Sequence, residues 1–152
     1  MSRMARYLAR FRTLSGADQR TLLTAAAWMP LFWLGLRFLS LPRFQARLQR
    51  STVKRDAAMS LPEIQALGEL VNIAARHTLG PRSCLTRSLL LGWLLRRRGV
   101  ESQLRIGVRL TAGVLDAHAW VECDGVPVND QPDVAERFAS FGDLVPLEAF
   151  GA

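Results

Sequence analysis

Cysteine and histidine are scarce in this sequence of 152 residues. It contains two cysteines, Cys84 and Cys123, and two histidines, His77 and His118. Two cysteines are too few for a disulfide scaffold and favour a reducing compartment, so we expect a cytoplasmic protein. The spacing of these four residues matches no zinc-binding pattern. We expect no metal site and no cofactor.

The sequence also lacks internal repeats, low-complexity segments and an apolar run long enough to span a bilayer. Its uncharged run 22–36 covers 15 residues, whereas a spanning helix needs roughly 20. The run has no cleavage-site pattern, which argues against a secretory signal. Pro30 predicts a kink or an interruption within it. We expect a buried helix with at most peripheral membrane contact. Its large side chains should mostly pack on the catalytic part or on a partner: Leu22, Leu23, Trp28, Phe32, Trp33 and Leu36.

Negative charge is in short supply as well. Asp and Glu number 13 against 20 Lys and Arg, which gives a net charge of +7. The basic side chains are scattered along helical patterns, with one triplet at 96–98, and no nucleic-acid-binding motif accompanies them. We therefore expect no nucleic-acid partner. The charge is interpreted first as a solvated surface and second as a docking face for an acidic peptide.

The chain divides into a helical segment, residues 1–55, and a core, residues 56–152. Helical patterns cover 4–14, 18–39 and 43–50, with Asp18 as the cap of the second, and 51–59 are a polar linker. Ser60 and Glu63 match a capping box that begins a helix to about His77. We interpret His77 as structural. Five apolar positions of this helix should face inward: Ile64, Leu67, Leu70, Val71 and Ala74.

A second helix of the core should begin next to Cys84. Gly80-Pro81 ends the preceding helix, and Ser83 is a good N-cap. Apolar residues then recur with helical spacing up to Gly99, which ends the helix. Cys84 would lie in the first turn, where the helix dipole and free backbone N–H groups stabilise a thiolate and can hold an oxyanion. The alternative is that Cys84 is a small buried apolar residue.

Two alternating segments after this helix predict strands at 100–110 and 114–123. His118, Trp120 and Glu122 share one face of the second strand, which indicates a cleft wall. Cys123 shares the opposite, apolar face and is interpreted as packing. Residues 131–140 should be irregular or briefly helical, and a final strand is expected around 145–147.

Asp130 should lie on the next strand, after the Asp124-Gly125 turn. A thiol needs a base to take its proton, and an imidazole needs an acceptor to hold its tautomer, so Cys84, His118 and Asp130 could form a catalytic triad. A two-residue loop would place Asp130 on the sheet face away from His118. A three-residue loop, 123–125, would place them opposite each other. We therefore predict the three-residue loop, with Gly125 at positive φ and a His118–Asp130 hydrogen bond.

Helices followed by a helix-borne cysteine and a sheet with His and Asp resemble papain- and transglutaminase-like enzymes. The motifs Cys84-Leu85-Thr86-Arg87-Ser88-Leu89, Ala117-His118-Ala119-Trp120-Val121-Glu122 and Asn129-Asp130 resemble those of the lasso-peptide leader peptidases, a transglutaminase-like family of microcin-processing cysteine proteases. The resemblance implies an α+β fold with a papain/transglutaminase-like core preceded by N-terminal helices. It implies Cys84 as nucleophile, His118 as base and Asp130 as its orienting acid.

The resemblance also implies partners. Many family members carry a fused leader-binding domain, and we expect the stand-alone form here because only a helical segment precedes Cys84. A precursor peptide, a separate leader-binding protein and an ATP-using macrolactam cyclase similar to asparagine synthetase would then complete the system. Two other functions stay open: a transglutaminase- or amidase-type acyl transferase of the same fold, and a non-catalytic adaptor that binds a peptide or a membrane.

Overall fold

The described part of the chain places five helices before an antiparallel sheet, with one short helix between the last two strands. The computed structural model describes residues 3–50, 58–80 and 83–140, without the side chains of Arg3, Met4 and Tyr7. Its helices are α1 (Arg3–Thr13), α2 (Gly16–Phe38), α3 (Leu41–Gln49), α4 (Leu61–Thr78), α5 (Cys84–Arg97) and α6 (Val134–Arg137). Its strands are β1 (Gln103–Thr111), β2 (Val114–Cys123), β3 (Val126–Pro127) and β4 (Ala139–Ser140).

Helix α2 begins slightly earlier than the sequence predicts. The hydroxyl of Ser15 accepts a hydrogen bond from the backbone N–H of Asp18 at 3.1 Å, so Ser15 is the N-cap and Asp18 lies in the first turn. Serine satisfies the first free N–H groups, and the Asp18 carboxylate still suits the positive helix end. Pro30 lies inside α2 and does not interrupt it.

Helix α2 is buried along one side only. Ala25 and Met29 have no exposed surface and Phe32 is 3% exposed, whereas Leu23 and Trp33 are 59% and 48% exposed. Leu23 and Trp33 are therefore not packed on the catalytic part, and the alternative that a partner covers them stays a prediction. The physical reason is that α2 is apolar on both sides, and α4 and α5 cover only one of them.

Helices α4 and α5 form the centre of the core. The predicted capping box is present, since the Glu63 carboxylate accepts the N–H of Ser60 at 2.7 Å. All five positions of α4 that were expected to face inward are buried. Helix α5 is buried on almost every side and packs with α2, α4 and the apolar face of β2, on which Cys123 is 4% exposed. Cys123 is thus a packing residue, as predicted.

The apolar cluster draws residues from both sides of the boundary expected at residue 55. Its members in the N-terminal helices are Ala25, Met29, Phe32 and Phe44. The boundary itself falls in 51–57, outside the described residues. The division into a 1–55 segment and a 56–152 core stays a prediction.

The loop between β2 and β3 has two residues, so the three-residue prediction is wrong. The sheet has the order β3-β2-β1-β4, and Cys123 pairs with Val126 and Glu122 with Pro127. Asp124 and Gly125 have φ angles of 50° and 78°. Two consecutive residues at positive φ are typical of a type I′ hairpin loop, and aspartate followed by glycine is a preferred pair there. The positive φ of Gly125 is confirmed.

Strand β3 is too short for its register to decide where Asp130 lies. It ends at Pro127, and Val128 makes one further ladder bond, from its N–H to the carbonyl of Val121 at 2.9 Å. The N–H of Val121 then donates to the side-chain oxygen of Asn129 at 2.8 Å. The chain leaves the sheet here, so Asp130 lies in an irregular segment and not on the predicted strand.

Trp120 does not line a cleft, which corrects the interpretation of the face it shares with His118. Its side chain has no exposed surface and packs with Val134 of α6 and with Phe138. The brief helix expected in 131–140 is present. Strand β4, which pairs Ser140 with Gly107 of β1, was not predicted. The strand expected around 145–147 lies outside the described residues.

Candidate active site

Cys84 is the first residue of α5, in the first turn as predicted. Ser83 occupies the N-cap position, but its hydroxyl donates to the carbonyl of Gly80 at 2.8 Å and caps no backbone N–H. The side chain of Ser83 therefore makes no cap hydrogen bond to the first turn of α5. Its N–H groups therefore remain a local source of positive potential beside the thiol.

Strand β2 brings His118 to this thiol, and the irregular segment brings Asp130 to the histidine. Nε2 of His118 lies 2.6 Å from Oδ2 of Asp130. Nδ1 is then the ring nitrogen left for the Cys84 thiol, with which the imidazole also forms a hydrogen bond. The hydrogen bond predicted between His118 and Asp130 is confirmed, although the register from which it was argued is not. All three predicted site residues come together.

The electrostatics of the three groups favour a thiolate–imidazolium pair. The hydrogen bond from His118 lowers the pKa of Cys84 against the raising effect of burial, and the N–H of Ala119 lowers it further. The hydrogen bond to Asp130, followed by that to Cys84, raises the pKa of His118 to about 9. A lowered thiol pKa raises the fraction of Cys84 that is present as the thiolate, which is the nucleophilic form.

Two guanidinium groups flank Asp130, and one of them, from Arg87, approaches the same carboxylate oxygen that faces His118. Arg87 approaches Oδ2 and Arg137 approaches Oδ1, each at 3.7 Å. Burial raises the pKa of Asp130, but hydrogen bonds from His118 and from the N–H of Gln131, together with the charge of Arg87, lower it below its ordinary value. The carboxylate therefore stays ionised beside the imidazolium.

A buried polar network fixes the segment that carries Asp130, and the sequence analysis missed it. Asn129 is 4% exposed. Its Nδ2 donates to Ser88 Oγ at 3.0 Å, and Ser88 Oγ donates to the carbonyl of Ala119 at 3.1 Å. Nδ2 of Asn72, on α4, donates to the carbonyl of Asn129 at 2.9 Å. One feature of the sequence could have indicated this network: Ser88 is a polar residue among the leucines of α5.

Gly68 allows this segment to lie against α4. A Cβ placed on Gly68 would clash with the carbonyl oxygen of Val128, so a residue with a side chain would not fit here unless the backbone moved. The absence of a side chain at position 68 is therefore a condition for the path of residues 128–130. The sequence pattern predicted an inward face around this glycine but not this close approach.

The remaining candidates on the face of β2 have structural partners. Glu122 is 6% exposed, and its two oxygens accept hydrogen bonds from Trp120 Nε1 at 2.8 Å and Arg105 Nε at 3.0 Å. Phe138 lies against the imidazole of His118, with ring centroids 4.9 Å apart. His77 lies in the last turn of α4. Among the described residues, no group of three or more His, Cys, Asp or Glu could hold a metal ion.

Two of the cavities in the described structure lie beside the elements that carry the site. The smaller, of about 450 Å³, lies between α4 and the segment 126–132 and reaches Arg87 and Asp130. The larger, of about 680 Å³, lies between α3, the end of α5 and the β1–β2 pair. It contains none of Cys84, His118 and Asp130, so the smaller groove is the one that adjoins the site.

The site has a half-buried thiol at the start of a helix, and that helix packs on an antiparallel sheet. A histidine on the sheet contacts an aspartate that follows it in the chain. This arrangement is typical of the transglutaminase-like class of α+β proteins. The model of the transglutaminase-like superfamily matches residues 26–142, and the chain belongs to that superfamily. The predicted fold class is confirmed.

A second comparison gives a more specific likeness. The chain is 33% identical over 61 residues to the microcin J25-processing protein McjB of Escherichia coli. The matched stretch covers 40% of this chain and 28% of the length of McjB, so the likeness extends over less than a third of that protein. No solved structure matches the chain significantly.

Proposed function

We propose that this chain is a cysteine peptidase that removes the leader peptide from a ribosomally made lasso-peptide precursor in the cytoplasm. The observation that carries the proposal is the line of contacts from Cys84 through His118 to Asp130, with 2.6 Å between the last two side chains. The likeness to a microcin-processing protein supports a peptide precursor as the substrate. Membership of the transglutaminase-like superfamily supports acyl chemistry at a cysteine.

In the first half of the proposed reaction, the Cys84 thiolate attacks the carbonyl carbon of the scissile peptide bond. A C–S bond forms, and the developing oxyanion lies near the uncapped N–H groups of the first turn of α5. The C–N bond then breaks as the imidazolium of His118 gives its proton to the leaving amine. The leader stays attached to Cys84 as a thioester.

In the second half, neutral His118 takes a proton from a water molecule, which attacks the thioester carbonyl. The C–S bond breaks, the leader leaves with a new carboxylate, and Cys84 returns to the thiolate. Asp130 holds the imidazole in the required tautomer and stabilises its charged form throughout. The reaction is a hydrolysis and requires no other reactant.

We propose further that a separate leader-binding protein presents the precursor and that a macrolactam cyclase consumes the released core peptide. The family resemblance supports both partners. A protein that binds the leader raises its effective concentration at the thiol, so cleavage should be slow without it. Equal rates with and without that protein, at precursor concentrations below saturation, would contradict this part of the proposal.

The proposed function is tested by incubating precursor, leader-binding protein and this chain, with product masses read by mass spectrometry. The wild-type protein should release the leader with a free carboxylate, and Cys84→Ala should release none. Cys123→Ala is the matched control, because Cys123 packs in the core and should be dispensable in a folded protein.

Two results would overturn the proposal. Cleavage by Cys84→Ala at the wild-type rate would show that the thiol is not the nucleophile and that Cys84 has no catalytic role. Transfer of the acyl group to an added primary amine, with no hydrolysis in its absence, would show an acyl transferase in place of a peptidase.

A further inference from the structure

Helix α2 presents a second apolar stripe to solvent, on the side opposite its packed face. The stripe consists of four large side chains whose spacing places them on one side of the helix: Leu23, Leu31, Leu34 and Phe38. They are 59%, 54%, 41% and 81% exposed, respectively. Ala27 and Pro30 lie between them, so the stripe carries no polar side chain. A helix that is apolar all round is ordinarily enclosed by protein or by lipid. We therefore expect another surface to cover the exposed stripe.

The opposite face of α2 is already committed to the core. Ala25, Met29 and Phe32 are buried against α4 and α5, and α2 cannot rotate without exposing them. The uncharged run 22–36 alone is too short to cross a bilayer, but the whole helix, with 23 residues, is long and apolar enough by length and composition. This is weak evidence by itself, and 17% of its most apolar stretch is buried. Because one face packs along the protein, the geometry suits a helix lying in the plane of a membrane surface.

The distribution of charge identifies the chemistry of that surface. Residues 1–50 contain nine arginines and a single acidic residue, Asp18, whereas residues 51–152 contain 11 basic and 12 acidic side chains. The net charge of +7 thus comes entirely from the N-terminal helices. Arg20 and Arg37 are exposed at the two ends of the α2 stripe, and eight of the nine arginines have exposed side chains in the structure: Arg6, Arg10, Arg12, Arg20, Arg37, Arg43, Arg47 and Arg50.

We propose that α2 binds in the interface of an anionic phospholipid membrane, with its exposed stripe inserted among the acyl chains and the surrounding arginines on headgroup phosphates. Amphipathic helices of this kind insert to a depth of about 5–10 Å and gain from both apolar burial and attraction to anionic lipid. A second copy of the chain fits less well, since it would bring two strongly basic segments together. The proposal does not depend on the peptidase function.

The test is co-sedimentation of the full chain with vesicles. One vesicle set is phosphatidylcholine alone, and the other contains one part phosphatidylglycerol in four. We expect stronger binding to the anionic set, and a loss of about tenfold or more when Leu31, Leu34 and Phe38 are together changed to Ser. These side chains are exposed, so the variant should keep its fold, which circular dichroism checks.

The matched control changes Leu110 and Leu115 to Ser. These residues are 72% and 67% exposed but lie on the β1–β2 hairpin, outside the N-terminal helices. The control should bind vesicles as the wild type does. Equal loss in both variants, or no preference for anionic vesicles, would overturn the proposal. So would a dimer that the α2 variant abolishes while vesicle binding is unchanged.

Carbonate extraction separates an in-plane helix from a spanning one. The in-plane geometry predicts that alkaline carbonate releases the protein from cell membranes, because only one face of α2 contacts lipid. Release by detergent alone would contradict this geometry.

Discussion

The side-chain oxygen of Asn129 accepts a hydrogen bond from the backbone N–H of Val121 at 2.8 Å, where the carbonyl of Val128 would have continued the ladder. The same side chain donates to Ser88 Oγ at 3.0 Å. Asn129 therefore ties the strand that carries His118 to the helix that carries Cys84. It also ends the strand, so that the next residue, Asp130, turns toward the imidazole.

Replacing Asn129 should damage both stability and the site. In Asn129→Ala the N–H of Val121 loses its buried acceptor, and Ser88 Oγ loses a buried donor while it keeps its bond to the carbonyl of Ala119. We expect a cost of about 1–3 kcal/mol in the free energy of unfolding. Urea denaturation measures this loss. Gln131→Ala is the control, because its side chain is exposed and its backbone N–H still donates to Asp130. Equal stability of the two variants would show that the hydrogen bonds of Asn129 do not stabilise the segment that carries Asp130.

A methyl group at position 68 should displace the segment that carries Asp130. In Gly68→Ala the new Cβ would meet the backbone oxygen of Val128, and backbone yields less readily than a side chain. We expect a loss of about 1–3 kcal/mol of stability and a lower cleavage rate. Gly92→Ala is the matched control, since its Cβ would meet only Ser102 Oγ, at 3.8 Å. That variant should be as stable as the wild type or more so.

Alkylation by iodoacetamide should report the lowered pKa of Cys84. Because that pKa is lowered, the thiolate is present, and Cys84 reacts, at a pH where an ordinary thiol is still protonated. Cys123 should stay unmodified in the folded protein, since burial raises its pKa and covers its sulfur. In His118→Ala the reaction of Cys84 should move to higher pH, because the largest cause of the lowering is lost. Peptide mass mapping across pH measures both sites, and an unchanged profile in His118→Ala would contradict the ion pair.

Removal of the Asp130 charge should lower the pKa of His118 from about 9 toward its ordinary value of 6.5. In the proposed reaction the imidazolium protonates the leaving amine, so cleavage should fall as pH rises through the pKa of His118. In Asp130→Asn this alkaline limit should move to lower pH, and the maximal rate should fall roughly 100-fold or more. The pH dependence of kcat and an NMR titration of the His118 ring measure the two effects. A limit that stays near pH 9 would show that Asp130 does not hold the charge on His118.

Arg87 and Arg137 should differ although each lies 3.7 Å from the same carboxylate. The side chain of Arg87 is 16% exposed and that of Arg137 is 41% exposed, so solvent screens the second charge more. In Arg87→Met the pKa of Asp130 should rise, so that on the acid side of the pH profile activity should be lost at a higher pH than in the wild type. Arg87→Lys should keep most of the wild-type profile, and Arg137→Met should shift it less. Identical pH profiles of activity for Arg87→Met and Arg137→Met would contradict the idea that Arg87 has the larger effect on the pKa of Asp130.

The elements that rest on local rules could be predicted from the sequence. The capping box at Ser60, the start of α5 at Cys84 and the span of β2 around His118 all agree with the structure. Capping and alternation act over a few residues, so their signals are complete within the segment itself. The choice of Cys84, His118 and Asp130 as neighbours also followed from residue types and their order, and the contacts between them are present.

Contacts between distant segments were decided by the tertiary structure. The two-residue loop at Asp124 would have separated Asp130 from His118 if β3 had continued, but Asn129 ends the strand through a bond that no local pattern shows. The approach of Val128 to Gly68 and the burial of Trp120 under Phe138 likewise join segments far apart in the chain. For α2, composition determined that both faces are apolar, but only packing against α4 and α5 decided which face is covered and which is exposed.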